Sequence, residues 1–165
     1  MFELKLLSAS AIPAALARAE RYRLLNEPEQ SQSICEDVLR ADPHNHQAIV
    51  TLILALTDEF PRHQGQAVAR ATELASALPS EYERLYYAGL IAERRGRALL
   101  EHGGPGPHAA AEWLREAMEA YQRAEGLRPP DNDDACLRWN ACARVFNARP
   151  SLLERDDTRS AVTSE

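Results

Sequence analysis

Residues 39–48 read Leu-Arg-Ala-Asp-Pro-His-Asn-His-Gln-Ala, and they contain the end of one helix, a tight turn and the start of the next. Asp42-Pro43 ends the first helix, because proline cannot continue a helix and moves the residue before it out of the helical region. Asn45 then offers a side-chain oxygen that can cap a new helix beginning near His46. This stretch therefore predicts two consecutive helices that fold back on each other.

Related turns recur at residues 78–81, Leu-Pro-Ser-Glu, and at residues 128–132, Arg-Pro-Pro-Asp-Asn. A helix-and-turn unit that recurs along a chain is typical of a solenoid. No strand pattern of useful length appears after residue 7. The sequence therefore predicts an all-α fold.

Apolar periodicity and turn residues predict seven helices, over residues 12–25, 29–41, 46–59, 64–78, 81–102, 108–127 and 133–147. The third helix is apolar nearly all round, which is typical of a helix covered by neighbours on several sides. We expect it to form the centre of the core. Gly103 to Pro107 separates the fifth and sixth helices, because glycine and proline are strong helix breakers.

The hairpin over residues 81–127 is predicted to be unusually long. Nothing between Arg95 and Leu100 breaks a helix, and residues 109–114 are also good helix formers. Two readings stay open for the apolar residues of this extension, such as Ala98, Ala110 and Leu114. They hold the two helices of the hairpin together, or they form a second contact surface at its tip.

The two ends of the chain are predicted to lie outside the helical domain. Residues 1–11 contain Phe2, Leu4 and Leu6 in alternation, which suits either a clasp packed on the first helix or a frayed end. We expect residues 148–165 to be a disordered tail, and its polar and charged part from Ser151 onward to be dispensable for folding.

Composition excludes several classes of protein. The chain has 165 residues, 45% hydrophobic residues and a formal net charge of −6, which argues against a nucleic-acid binder. No segment approaches the roughly 18 apolar residues of a membrane span. The three cysteines are odd in number and follow no secretion signal, so we expect free thiols and a cytoplasmic location.

Three of the predicted helices share one spacing of small or apolar residues that ends in a proline. The matching sets are Ser31, Cys35, Val38 and Pro43; Ala67, Ala71, Leu74 and Pro79; and Ala117, Tyr121, Ala124 and Pro129. With Gly89 at a predicted helix contact, this register resembles the tetratricopeptide repeat, two antiparallel helices in about 34 residues.

The resemblance covers about residues 12–147. It implies a right-handed superhelical stack of antiparallel helix pairs, with three repeats and the seventh helix as a terminal cap. The third repeat departs from the family by about sixteen extra residues. Arg18 departs as well, because it occupies a position where the family prefers leucine.

The resemblance also implies a binding site, because the first helix of each repeat lines a concave groove that binds peptides in this family. The groove positions of the family can be transferred to this chain one by one, and residues next to them on the third repeat and on the cap helix are added. The candidate residues are then Leu16, Glu20, Arg23, Val50, Leu54, Tyr86, Leu90, Glu93, Arg94, Arg138, Asn140 and Arg144. For Val50 and Leu54 a place in the core is an equal alternative, because the third helix is apolar nearly all round. Tyr86, Glu93, Arg94 and Arg144 are expected to face a common groove.

Chaperone-binding members of the family clamp a terminal carboxylate with cationic and amide side chains. The corresponding residues of this chain are Leu16, Glu20, Thr51, Glu83 and Tyr87, and none is a cation. The sequence therefore argues against that activity.

No catalytic or cofactor motif stands out. There is no nucleophile motif, phosphate loop or pair of catalytic carboxylates, and a pair of histidines such as His44 and His46 does not make a metal site. We expect no metal, no cofactor and no catalysis. The sequence predicts a non-catalytic adaptor that binds a protein segment in a groove. The alternative is a structural or self-associating subunit, for example a homodimer, whose groove is filled by its own termini or a second copy.

Overall fold

A computed structural model describes residues 2–62, 65–102 and 107–153 of the chain. They form seven α-helices: α1 (Ile12–Leu24), α2 (Pro28–Ala41), α3 (His46–Asp58), α4 (Gly65–Ser76), α5 (Glu81–His102), α6 (Pro107–Glu125) and α7 (Asp134–Ala148). Short 3-10 helices cover Ala9–Ala11 and Pro150–Leu152, and the described residues contain no strand. The prediction of an all-α fold is confirmed, and each helix boundary lies within two residues of its predicted place.

The turn between α2 and α3 is built by local side-chain bonds. The Asn45 side-chain oxygen accepts a hydrogen bond from the Ala48 backbone N–H at 3.0 Å, which is the predicted cap of α3. The Asn45 amide also donates to the Asp42 carboxylate at 3.0 Å. These two bonds connect the end of one helix to the start of the next.

The helices pack as neighbouring pairs, each against the next along the chain. In addition, α1 contacts α3, α3 contacts α5, and α5 contacts α7. Comparable contacts among α2, α4 and α6 are absent within the described part of the chain. The odd-numbered helices therefore form a continuous layer, and their side chains meet on one side of the protein.

The centre of the core is α3, as the sequence predicts. Seven of its thirteen residues are buried, a larger share than in any other described helix. Leu52, Ile53 and Phe60 are almost completely inaccessible and pack with the small residues of α4, such as Ala71. Burial on several sides explains why this helix has no polar face.

The long hairpin of α5 and α6 is antiparallel and tightly packed. A Cβ placed on Gly89 would lie 2.8 Å from the Cε1 atom of Tyr121, and one on Gly96 would lie 3.0 Å from the Ala110 carbonyl oxygen. Both glycines therefore allow the helices a closer approach than a side chain permits. Ala110 and Leu114 are fully buried, so these residues of the extension hold the hairpin together. Its tip, residues 103–106, lies outside the described residues.

The N-terminal segment, residues 2–8, does not form a strand. Phe2, Leu4 and Leu6 are exposed, at 100%, 67% and 74% of their maximal surface. Leu7 instead packs on a small cluster that includes Leu16. The guanidinium of Arg40 also donates to the Leu4 carbonyl oxygen at 3.5 Å. Leu7 thus packs on the helical core and Leu4 bonds to α2 through its backbone, while the side chains of Phe2, Leu4 and Leu6, the apolar edge of the segment, stay exposed.

The prediction of a disordered tail from residue 148 is wrong for its first residues. The 3-10 helix Pro150–Leu152 follows α7 directly, and Leu152 is buried in the cluster that contains Phe146. The Arg115 guanidinium donates to the Leu152 carbonyl oxygen at 2.9 Å. A single leucine that fills a site on α6 and α7 extends the folded unit to residue 152. The rest of the predicted tail, residues 154–165, lies outside the described residues.

None of the described helices has both the length and the apolar character that are needed to cross a lipid bilayer.

Candidate functional site

Side chains of α3, α5 and α7 enclose a cavity of about 260 Å³ on the side where the odd-numbered helices meet. Its lining is mostly charged and includes Asp58 from α3, Glu93, Arg94 and Arg97 from α5, and Arg138 from α7. A second cavity, of about 440 Å³, shares Arg97, Glu101 and Ala141 with the first. The remaining lining residues of the second cavity are Leu100, Arg144, Val145, Ala148 and Arg149. The two cavities thus adjoin through three shared residues, and together they are called the trough below.

Asp58 connects three helices at one end of the trough. Arg23 of α1 donates through Nε to Asp58 Oδ2 at 2.9 Å, and Arg94 of α5 donates through Nη1 to Oδ1 at 3.1 Å. All three side chains are partly buried, at 19% to 32% exposure. One carboxylate therefore fixes two guanidinium groups, because each of its oxygens accepts a charge-assisted hydrogen bond.

Glu93 is the most buried charged group of the trough, with only 1% of its surface exposed. Its Oε1 accepts a hydrogen bond from Arg97 Nε at 2.8 Å, and its Oε2 accepts one from the Tyr121 hydroxyl at 2.8 Å. Arg138 Nη1 lies 3.8 Å from the same Oε2. A carboxylate is tolerated at such a depth only when it is paired and hydrogen-bonded, which these partners provide.

The pKa values of Tyr121 and Arg138 reflect the burial and the charge around Glu93. Burial, together with the nearby charge of Glu93, raises the pKa of Tyr121 far above its usual range, so the hydroxyl keeps its proton and remains a donor. Burial of Arg138 opposes its charge, but a hydrogen bond with Tyr86 and the charge of Glu93 outweigh that effect and raise the pKa of Arg138. The arginine therefore stays cationic throughout the working pH range.

The structure brings several of the predicted site residues together. Glu93, Arg94 and Arg138 line the first cavity, and Arg144 lines the second. Arg23 contacts the same network through Asp58. Glu93 itself lies beneath the surface, so it orients the arginines around it rather than presenting an open face.

Tyr86 lies behind the trough rather than on its lining. Its ring is half-buried and packs against Tyr82, Tyr87 and Tyr121, with centroid distances of 6.0, 5.1 and 5.9 Å. A hydrogen bond connects the tyrosine to Arg138 of the trough lining.

The prediction that Leu16 and Leu90 line the groove is wrong. Leu16 has 3% of its surface exposed and Leu90 has none, so both belong to the core. Each lies on a face of its helix that neighbouring helices cover, and spacing alone does not distinguish this face from an open one. Val50 is half-buried and packs against the central cluster, as the core reading of that residue predicts.

The other predicted residues do not line the trough. Leu54 is half-buried on α3. Glu20 is exposed and accepts a hydrogen bond from Gln47 at 2.9 Å. Asn140 directs its amide nitrogen to the sulfur of Cys136 at 3.7 Å.

The prediction missed Asp58, Arg97, Glu101 and Arg149. Arg97 follows Glu93 by one helical turn, a spacing at which opposite charges pair, so this contact was readable from the sequence. Asp58 carried a weaker signal, because it lies one helical turn after the predicted Leu54.

A third cavity, of about 380 Å³, lies between α4 and α6 with α5 as its floor. Its walls are largely apolar and include Val68, Ala75, Ile91 and Trp113. The guanidinium of Arg95 lies 3.9 Å from the centre of the Trp113 ring, which covers part of the indole face.

The cysteines are all free thiols. Burial raises the pKa of Cys35 to about 11 and that of Cys142 to about 12. Because the thiolate is the reactive form, neither sulfur is activated as a nucleophile. Across residues 2–62, 65–102 and 107–153, no group of three or more His, Cys, Asp or Glu side chains is arranged to hold a metal ion.

The fold and the trough define an all-α protein of neighbouring helix pairs with a charged surface depression. Comparisons with protein-family models, with curated proteins and with solved structures find no match for this chain.

Proposed function

We propose that this chain is a non-catalytic adaptor that binds a segment of another protein along the trough. The observation that carries the proposal is a pair of adjoining cavities, the first lined by α3, α5 and α7 and the second mainly by α5 and α7, that share Arg97, Glu101 and Ala141. These odd-numbered helices are the ones that the tetratricopeptide resemblance assigns to a concave inner surface. The contacts of α1 with α3, α3 with α5 and α5 with α7 support a stack of that kind.

The dimensions of the trough suit an extended segment. Its cavities of about 260 and 440 Å³ are comparable to ordinary ligand sites, which span about 300–1,000 Å³. Because the cavities adjoin, they accept a chain that runs from one to the other more readily than a single compact molecule. Hydrogen-bond donors along the lining then supply orientation.

A binding role accounts for the lining better than catalysis does. Among the described lining residues there is no histidine, cysteine or serine to act as a nucleophile or general base. The buried carboxylate of Glu93 is already engaged with Arg97 and Tyr121. Free thiols fit a reducing compartment such as the cytoplasm.

A displayed peptide library tests the proposal. Ala141→Trp places an indole at one of the three residues shared by both cavities, and Ala69→Trp places the same group on the exposed side of α4. Peptides enriched by the unmodified protein should be lost with Ala141→Trp and kept with Ala69→Trp. Circular dichroism and thermal melting establish that both variants fold. Absence of any enriched peptide, or equal loss with both variants, contradicts the proposal.

A second function, self-association, is favoured by the exposed apolar edge of the N-terminal segment. Phe2, Leu4 and Leu6 alternate with Glu3 and Lys5, and all three apolar side chains are exposed. Three large apolar side chains in a row on a surface are typical of a contact site. The apolar cavity between α4 and α6 offers a complementary surface on a second copy.

Sedimentation at several protein concentrations tests self-association. A variant with Phe2, Leu4 and Leu6 all changed to serine should remain monomeric if these residues form the contact. Leu24→Ser with Leu25→Ser is a control, since those leucines are exposed elsewhere, on and just after α1. A protein that is monomeric at every concentration excludes this second function.

A further inference from the structure

The trough carries a local excess of positive charge on an acidic protein. Five arginines line it, whereas Asp58, Glu93 and Glu101 are its carboxylates, so positive groups exceed negative groups by two. The whole chain has a formal net charge of −6. Positive charge is therefore concentrated on the trough, which is the surface that binds the partner in the proposed function.

The arginines at the first cavity are held in place but keep unused donors. Asp58 and Glu93 each lie between two guanidinium groups. A guanidinium has five N–H donors, and the contacts to these carboxylates occupy only part of them. The two carboxylates thus orient the arginines in advance, which reduces the conformational entropy that is lost when a ligand binds.

The arginines at the second cavity are more accessible. Arg144 and Arg149 are exposed and, within the described part of the chain, form no ion pair. A guanidinium forms two parallel hydrogen bonds with a carboxylate, and this fixed geometry favours carboxylate side chains over neutral amides. The cations continue along the trough, so a segment with more than one carboxylate meets several of them in turn.

We propose that the partner segment is an acidic peptide, whose Asp or Glu side chains pair with the arginines of the trough. This inference rests on the proposed function. A nucleic acid is a poorer match, because the overall charge of −6 repels a long polyanion and the lining offers no aromatic platform for bases among the described residues. The arginines of the trough lie at positions other than those that form the terminal-carboxylate clamp in the tetratricopeptide family.

Fluorescence anisotropy with two labelled peptides tests the inference. One is rich in glutamate and the other has glutamine at the same positions. The glutamate peptide should bind at least about tenfold more tightly, which corresponds to about 1.4 kcal/mol. Its affinity should fall as ionic strength rises from about 0.01 M to about 0.15 M, because the Debye length shrinks from about 30 Å to about 8 Å.

A matched pair of variants locates the site. Arg144→Gln with Arg149→Gln should weaken binding of the glutamate peptide by about tenfold or more. Arg21→Gln with Arg123→Gln removes the same charge from exposed sites outside the trough and should change affinity less than about twofold. Equal effects of the two variants would show that only net charge matters, and would overturn the inference.

The outcomes separate this inference from the proposed function. Enrichment of displayed peptides without Asp or Glu, lost with Ala141→Trp, would leave the trough as a binding site and refute the acidic partner. Absence of enrichment together with no binding of the glutamate peptide would refute both. Tighter binding of an oligothymidine than of the glutamate peptide would assign the trough to nucleic acid and also overturn the inference.

Discussion

Replacing Tyr121 with phenylalanine removes one buried hydroxyl and keeps the ring in place. The hydroxyl donates to Glu93 Oε2 at 2.8 Å, and both residues are almost completely buried. A hydrogen bond to a charged group contributes about 1.5–3 kcal/mol to stability. Because Glu93 keeps its 2.8 Å bond to Arg97, we expect a loss toward the middle of that range, about 2 kcal/mol.

Urea denaturation followed by circular dichroism measures this loss. The midpoint should fall without a change in the slope of the transition, and the melting temperature should fall by about 4–8 °C, at about 2–4 °C per kcal/mol for a protein of this size. Tyr82→Phe is the matched control. Its hydroxyl donates to the neutral Asn132 side chain at 2.9 Å in a partly buried site, so it should cost about 1 kcal/mol or less.

A double-mutant cycle with Glu93→Gln isolates the pair. The coupling between Tyr121 and Glu93 should be about 1–2 kcal/mol, because residues that share a hydrogen bond are not additive. A loss at Tyr121→Phe no larger than that at Tyr82→Phe, together with a coupling near zero, would refute the reasoning. The carboxylate would then be stabilised by its arginines alone.

Three further predictions concern other parts of the fold. Gly89→Ala should destabilise the protein by about 1–2 kcal/mol in urea denaturation, because the new methyl group would lie 2.8 Å from a buried tyrosine ring. Gly65→Ala, with no atom within 4 Å of the added Cβ, should not destabilise it. Leu152→Ala should cost about 2 kcal/mol in the same assay, whereas Leu153→Ala at an exposed neighbour should cost less than about 0.5 kcal/mol. Burial raises the pKa of Cys35 from 9.0 to about 11. The folded state therefore favours the protonated thiol, and the resulting contribution to the free energy of unfolding is present below pH 9 and is lost as the pH rises through 11. The urea midpoint should therefore fall over that interval, and less so in Cys35→Ala; an equal fall in both would contradict the assignment.

Helix positions were predictable because their signals are local. Pro43 and Asn45 define the junction of α2 and α3, and the cap forms with a residue only three positions away. The length of α5 followed from an absence of strong helix breakers between Arg95 and Leu100, and that of α6 from the good helix formers at residues 109–114. Gly89 was also readable, since a small residue at a repeated spacing indicates a close helix contact.

The trough was only partly predictable, because its ion pairs and hydrogen bonds join residues that are far apart in sequence. Arg23 meets Asp58 across 35 positions, and Tyr121 meets Glu93 across 28. Periodicity places a residue on one face of a helix, but which neighbour covers that face depends on how the helices pack. Leu90 and Glu93 illustrate the difference, since both were predicted for an open groove and both are buried.

The sequence by itself thus determined seven helices, their junctions and the apolar character of α3, because hydrogen bonds within a few residues and side-chain periodicity specify them. Only the tertiary structure decided that Glu93 lies beneath the surface between Arg97, Arg138 and Tyr121, and that Leu152 belongs to the folded unit. These contacts join α5, α6, α7 and the final 3-10 helix. Their geometry depends on the relative placement of elements that no short stretch of sequence encodes.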